Sequence, residues 1–374
     1  MDNILLSAGL AFLVTFFAIP VIIQVAKEKN LFDEPDERKV HKAVIPTLGG
    51  LGIFAGFILA TLMGVPVLNS FELKYFMAAV LVIFFLGIKD DILLLSATKK
   101  LIGQLIAAGI IVKFGGIEIN NMHGFLGLNE IPHTASVILS IFTIIVITNS
   151  FNLIDGVDGL AGSLGLLTSL VFGTYFFITS QLMYSVMAFS LAGSLIGFLI
   201  YNFSPAKIFM GDTGSLIIGL LNSIFVIRFI TVASDPHSAM PLASAPAIGF
   251  AILIVPLFDT LRVVALRVFN RRSPFSPDRN HIHHFLLDLG LSHRVITLIC
   301  LSANIIFIAL AYFLRPAGTS TVIGALATAA ILFVGTIYYS RPKAKTIATT
   351  GDENPQIIKS HKILTLAGET ADRD

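Results

Sequence analysis

Long apolar runs recur along this chain as far as residue 340, each about the length a helix needs to cross a bilayer. They fall at 4–26, 47–65, 71–89, 94–113, 134–151, 160–179, 183–201, 213–231, 243–268, 294–314 and 320–339. No water is present in a bilayer core to satisfy backbone groups, so such segments must be helical. An all-α polytopic membrane protein with about eleven transmembrane helices follows, ten being the alternative count. The weakest span is 94–113, which Lys99, Lys100 and Gln104 interrupt. Only 13% of the residues are charged and mean hydropathy is +0.86, whereas a soluble domain carries about a quarter charged residues. The first run follows Asp2 without a basic segment or a small-residue cleavage site, and is read as a retained helix.

The basic residues orient these spans. With the N-terminus outside, 21 of the 25 Lys and Arg fall in inner loops, towards the inner ends of spans or in the polar segment 341–374. That bias is the expected mark of the cytoplasmic side. The expected domain division is an integral-membrane unit at 1–340 followed by a polar cytoplasmic tail at 341–374. The single cysteine, Cys300, sits in an apolar run and can form no intrachain disulfide. No Walker-type loop, Rossmann unit or internal repeat is recognisable, and nothing points to a nucleic-acid partner.

Five aspartates occupy junctions between apolar runs and inner loops: Asp90 and Asp91 in GIKDDILLL, Asp155 and Asp158 in NLIDGVDGLAG, and Asp212 in IFMGDTGS. Carboxylates beside a bilayer are costly and mark function by default. The bland alternatives are specific. Asp90 and Asp91 could be a solvated helix end, although carboxylates there oppose the helix dipole. Adjacent helical residues point about 100° apart, so the two cannot share one role. One could face a metal or nucleophile and the other a basic partner such as Lys100. Asp158 could cap the next helix, and Asp212 or Ser215 the span at 213–231. That leaves Asn149, Asn152 and Asp155 without a structural task. Amide and carboxylate oxygens together suit Mg²⁺ or Mn²⁺ rather than zinc. The helix start after Phe209-Met210-Gly211-Asp212 offers backbone N–H groups suited to phosphate, with a cation between phosphate and Asp212.

The complementary basic segments are DEPDERKVHKAVIPTLGG, with Arg38, His41 and Lys42, and RVFNRRSPFSPDRNHIHHF, with Arg279, His281, His283 and His284. A polybasic loop could simply bind anionic lipid. Three histidines within four residues fit donors to a diphosphate better.

Taken with RKVHKAVIPTLGG, AKIFMGDTGSL and PLFDTLRV in this order, these motifs resemble the polyprenyl-phosphate N-acetylhexosamine-1-phosphate transferases. They are closest to the WecA-like branch of glycosyltransferase family 4, whose relatives include the MraY-type lipid I synthases. The resemblance reaches from the first loop to about residue 340. It implies a Mg²⁺-dependent transfer of a HexNAc-1-phosphate from a UDP-HexNAc, most simply UDP-GlcNAc, to a polyprenyl phosphate. The products would be a polyprenyl diphosphate-sugar and UMP, at the cytoplasmic face of a bacterial inner membrane, on the route to a cell-surface polysaccharide. It further implies Asp212 and Asn152 as metal ligands, and Asp90 or Asp91 as the group that deprotonates or orients the lipid phosphate. Lys100 would meet phosphate, Phe209 would stack on uracil with help from Asp155 and Asp158, and His281, His283 and His284 would lie near the sugar-phosphate end. A homodimer is compatible with this expectation. HIHHF after SPDRN departs from the three consecutive histidines of the lipid I synthases, which makes UDP-MurNAc-pentapeptide the alternative donor. From another class, an ion-coupled secondary transporter would instead place its ionisable groups near the membrane midplane and on both faces.

Overall fold

The computed structural model describes residues 2–29, 32–33, 45–66, 70–273 and 280–341. Arg38, His41, Lys42 and Arg279 lie outside them, as does the tail beyond Arg341. The described chain is a helical bundle, in chain order α1 (Asp2–Glu28), α2 (Gly49–Gly64), α3 (Leu73–Leu93), α4 (Ala97–Lys113), α5 (His133–Ile154), α6 (Leu160–Ile178), α7 (Leu182–Asn202), α8 (Gly211–Ala233), α9 (Ala245–Ile252), α10 (Ile254–Phe269), α11 (Ile282–Asp288), α12 (His293–Leu314) and α13 (Thr319–Ser340).

Helix α8 is the centre. Every residue from Thr213 to Ile227 is buried, as expected for a helix apolar on all sides. Helices α2, α3, α5 and α6 pack around it, while α1 packs outside α2 and α7. One close crossing uses Gly87 of α3: a Cβ there would lie 2.4 Å from Cα of Thr213. Small residues at helix crossings are how membrane helices approach, because lipid gives no hydrophobic drive for association.

Seven helices (α1, α5, α6, α7, α8, α12 and α13) are long and apolar enough to cross a bilayer, by length and composition. An eighth is the pair α9 and α10, which bends by 85°. The expected count of about eleven is therefore not reached on these grounds. Helix α2 is apolar but has 16 residues, α4 has 17, and α3 ends in charge. The apolar run 243–268, continuous in sequence, is broken because Pro256 can neither donate an N–H nor accommodate the carbonyl four residues back. Asn304 of α12, fully buried, satisfies the break. Its Nδ2 donates to the Ile252 carbonyl at 3.0 Å and its Oδ1 accepts from the Val255 N–H at 3.3 Å.

Two small antiparallel pairs complete the described chain: β1 (Phe32–Asp33) with β2 (Ile45–Pro46), and β3 (Asn121–Phe125) with β4 (Leu128–Glu130). The second is a hairpin in the connection between α4 and α5, which hydropathy marks only as polar. Leu126 and Gly127 both have positive φ, as a two-residue primed turn requires. Thr319 and Ser320 at the start of α13 hydrogen-bond to its His123 carbonyl and Leu126 N–H.

Candidate active site at one end of the bundle

The end of α3, the starts of α4, α8 and α12, and the end of α5 meet at one end of the bundle and bring the sequence motifs together. Lys100 of α4 is the hub. Its Nζ pairs directly with Asp90 of α3 and lies 2.6 Å from Oδ2 of Asp212 on α8. Asn152 of α5 donates from Nδ2 to the other oxygen of Asp212 at 2.9 Å and to Ser215 Oγ at 3.0 Å. Asp90 is buried, whereas the side chains of Lys100 and Asp212 are each 27% exposed and remain accessible to a ligand. Two like charges about 4 Å apart cost about 4 kcal/mol at an effective dielectric of 20. An ammonium placed between the two carboxylates removes that penalty.

Asp91 does something different. Its Oδ1 accepts from the Asp212 N–H at 2.6 Å, and its Oδ2 accepts from the N–H and hydroxyl of Thr213 at 3.1 and 2.6 Å. A carboxylate from another helix thus caps α8, favourably placed at the positive end of its dipole. Two sequence expectations change here. Neither Asp212 nor Ser215 is the cap, and the first amides of α8 are occupied by Asp91 rather than open to phosphate. Asn149 likewise has a structural partner, exchanging two amide hydrogen bonds with buried Gln104 of α4 at 2.7 and 3.2 Å.

The turn after α5 joins this acidic centre to a histidine cluster. Burial raises Asp155 to about 8, with the charges of Asp212, Asp91 and Asp158 pushing the same way. Gly156, next in chain, lies against the His283 ring: a Cβ there would stand 2.5 Å from Nε2. Asp158 is buried and does not cap α6, whose cap position is Gly159 with φ +76°. It accepts from the Ala206 N–H at 3.1 Å and pairs with His293 at 3.2 Å, tying the turn to the 203–210 segment and to α12. In that segment Phe209 is half-buried and anchored by its backbone, donating to the Pro46 carbonyl at 2.7 Å and accepting from the Gly49 N–H at 2.9 Å.

The histidine cluster is held from α10. Asp259 accepts from the Ile282 N–H at 3.0 Å and contacts His281 Nδ1 at 2.8 Å, and Arg262 sits 2.8 Å from its other side. The rings of His281 and His283 stack at 5.7 Å, and His283 and His284 lie 4.3 Å apart. Loss of solvation drives His283 down to about 3, with the neighbouring His284 adding to it, so the ring is neutral in the folded chain. PLFDTLRV is a recognisable motif in the sequence, but only the folded chain gives Asp259 and Arg262 a task. Their i,i+3 spacing was the available signal. His293 carried none.

Among the described residues, no three His, Cys, Asp or Glu side chains are grouped to hold a metal ion. The donors present still suit Mg²⁺, which takes one or two carboxylates and otherwise prefers water and substrate phosphates. Asp212 with Asn152 is such a partial set, and the position filled by Lys100 already accommodates positive charge between two acids. A separate cleft of about 350 Å³ lies between α4 and α5 at their other ends, lined chiefly by apolar residues around Lys113 and His133, and takes no part in this site.

A multi-pass helical membrane protein with buried acids and histidines gathered at one end defines the class. Comparison with known proteins narrows it. The glycosyl transferase family 4 model matches residues 73–230, from α3 to α8. The probable undecaprenyl-phosphate N-acetylglucosaminyl 1-phosphate transferase of Bacillus subtilis (strain 168) is 32% identical over 327 residues, 85% of this chain and 87% of that protein. The decaprenyl-phosphate N-acetylglucosaminephosphotransferase of Mycobacterium tuberculosis (strain H37Rv) is 34% identical over 351 residues, 86% of each. The undecaprenyl-phosphate alpha-N-acetylglucosaminyl 1-phosphate transferase of Escherichia coli (strain K12) is 27% identical over 289 residues, 76% of each. The chain belongs to glycosyl transferase family 4.

Proposed function

We propose that this protein transfers N-acetylglucosamine-1-phosphate from UDP-GlcNAc to a polyprenyl phosphate, releasing UMP and forming a polyprenyl diphosphate-sugar. The observation that carries the proposal is Lys100 held between Asp90 and Asp212, with Asn152 on the same carboxylate, at one end of a membrane bundle. Both substrates are anionic phosphates, and the acceptor keeps its apolar tail in the bilayer. A site for them must lie at the membrane edge and must neutralise repulsion before they approach. The Lys and Arg bias along the chain supports a cytoplasmic face for that edge.

Asp212 and Asn152 are the residues that would hold Mg²⁺, which on binding supplies charge neutralisation for the diphosphate. In the transfer, an oxygen of the lipid phosphate forms a bond to the β-phosphorus of the UDP-sugar. The bond from that phosphorus to the bridging oxygen breaks, and UMP departs with that oxygen. Asp90 takes the task of orienting or deprotonating the lipid phosphate, since Asp91 is committed to capping α8. Lys100 keeps Asp90 and Asp212 in one place and is open enough to meet phosphate. Asp155, raised to about 8, can donate a hydrogen bond at neutral pH, which suits Phe209 and Asp155 flanking a uracil. His283 stands against Gly156 of the Asp155–Asp158 turn, and His281, His283 and His284 would serve the sugar-phosphate end.

An ion-coupled transporter is disfavoured by position. Among the described residues, buried Asp90, Asp158, Asp259 and His281 all belong to the ion pairs gathered in this site, and buried His283 stacks on His281.

The test combines purified protein, labelled UDP-GlcNAc, polyprenyl phosphate and Mg²⁺. Lipid-linked label with equimolar UMP is expected, lost on chelation and in Asp212→Ala. Label arriving only from UDP-MurNAc-pentapeptide would replace the donor. No lipid-linked product from either donor would defeat the proposal.

A further inference from the structure

Helix α11 carries His283 and His284 yet is only seven residues long, too short to hold itself in place. Its N-terminal end is pinned by Asp259. Its other end is held by α13, a span that is otherwise peripheral, with Ile331, Leu332 and Tyr339 exposed. Phe285, next to His284 and buried, is contacted by two guanidiniums: Arg341 at 4.0 Å from its ring centroid and Arg262 at 5.2 Å. Tyr338 meets the same ring edge-on at 5.6 Å. Arg341 also places Nη1 3.2 Å from Oδ2 of Asp288, at the last position of α11.

We infer that Arg341, where α13 ends, is a positioning residue for the histidine helix. It grips Phe285 and Asp288 and thereby sets where His283 and His284 stand against the Asp155–Asp158 turn. The inference rests on the proposed site. An arginine at the end of a span commonly just reaches for the interface. Arg341 instead makes four directed contacts, two onto one short helix and two to its own Tyr338, whose ring centroid lies 4.4 Å away and whose carbonyl accepts from Nε at 3.4 Å. A guanidinium can stack on a ring and pair with a carboxylate at once, which an ammonium does less well. Because His283 is buried, a small rotation of α11 about Phe285 moves its ring relative to Gly156 rather than into solvent.

The experiment measures steady-state transfer with UDP-GlcNAc varied at fixed polyprenyl phosphate, together with thermal unfolding. The variants are Arg341→Ala, Arg341→Lys, the double variant Arg341→Asp with Asp288→Arg, and His283→Ala. Arg341→Ala should raise KM for UDP-GlcNAc about tenfold while kcat falls less, the scale of a misplaced binding group. Arg341→Lys should fall between, and the double variant, which restores the ion pair but not the contact with Phe285, should recover part of the loss. Unchanged KM and kcat in Arg341→Ala, with His283→Ala inactive, would overturn the brace and leave the site intact. Wild-type kinetics in His283→Ala would overturn the histidine placement itself, and the brace with it. Should Arg341→Ala fold poorly, failure of the double variant to recover KM even in part decides against the inference.

Discussion

Asp91 and Thr213 stand 122 positions apart in the chain, yet Oδ2 of Asp91 accepts from both the Thr213 N–H and its hydroxyl, at 3.1 and 2.6 Å. Its neighbour Asp90 turns instead to Lys100. Adjacent carboxylates on one helix thus serve a fold and a site respectively, as their angular separation demands.

This division should be visible in variants. Asp91→Asn keeps the shape but weakens a charge-assisted cap, and loss of a cap costs about 1 kcal/mol. A lowered unfolding temperature with reduced transfer is expected. Asp90→Asn should abolish transfer with a smaller stability change. Unfolding curves and initial rates on the two proteins in parallel decide it, and the opposite ranking would exchange the roles.

The α3–α8 crossing is the next point of sensitivity. In Gly87→Ala the new methyl meets backbone, not a side-chain tip that could rotate away. Helix α3 must then shift from α8, carrying Asp90 and Asp91 off Lys100 and Thr213. Overpacking of this kind costs about 1–3 kcal/mol. Activity should fall further than stability, measurable as residual transfer at a temperature where the variant remains folded.

His283 predicts an acid limb in stability. An unfolded histidine takes up its proton near pH 6.5, whereas the buried ring does so only near about 3. Between those values the unfolded chain binds more protons. Stability is therefore fully present above about pH 6.5 and declines as pH falls toward 3. His283→Asn should flatten that part of the profile. Identical slopes in variant and parent would show that the ring is not held neutral.

Asn304 predicts a cost without a direct role in transfer. In Asn304→Leu the Ile252 carbonyl and Val255 N–H at the α9–α10 break lose their partner in an apolar setting. Each unsatisfied group costs about 1–3 kcal/mol. Because α10 carries Asp259 and Arg262, the variant should also weaken substrate binding. Thermal unfolding and KM for UDP-GlcNAc check both.

Much of this molecule is legible without coordinates. The apolar runs mark the helices because burial in lipid sums over consecutive residues, and the Lys and Arg bias assigns their ends. Charge chemistry separates an acidic group from a basic one, and motif order supplies the family resemblance. Other features depend on how helices cross. Asp91 rather than Asp212 or Ser215 caps α8 because Gly87 lets α3 come within reach. Asp158 pairs with His293 instead of capping α6, since the 203–210 segment and α12 lie beside it. The run 243–268 looks continuous because hydropathy does not register a proline kink that a distant asparagine satisfies. Asp259 acquires its purpose only when α11 folds back onto α10. Hydropathy and charge are properties of residues in order, so the chain alone determines its helices and their polar ends. A hydrogen-bond partner is chosen within about 3 Å, and that choice belongs to the packed bundle.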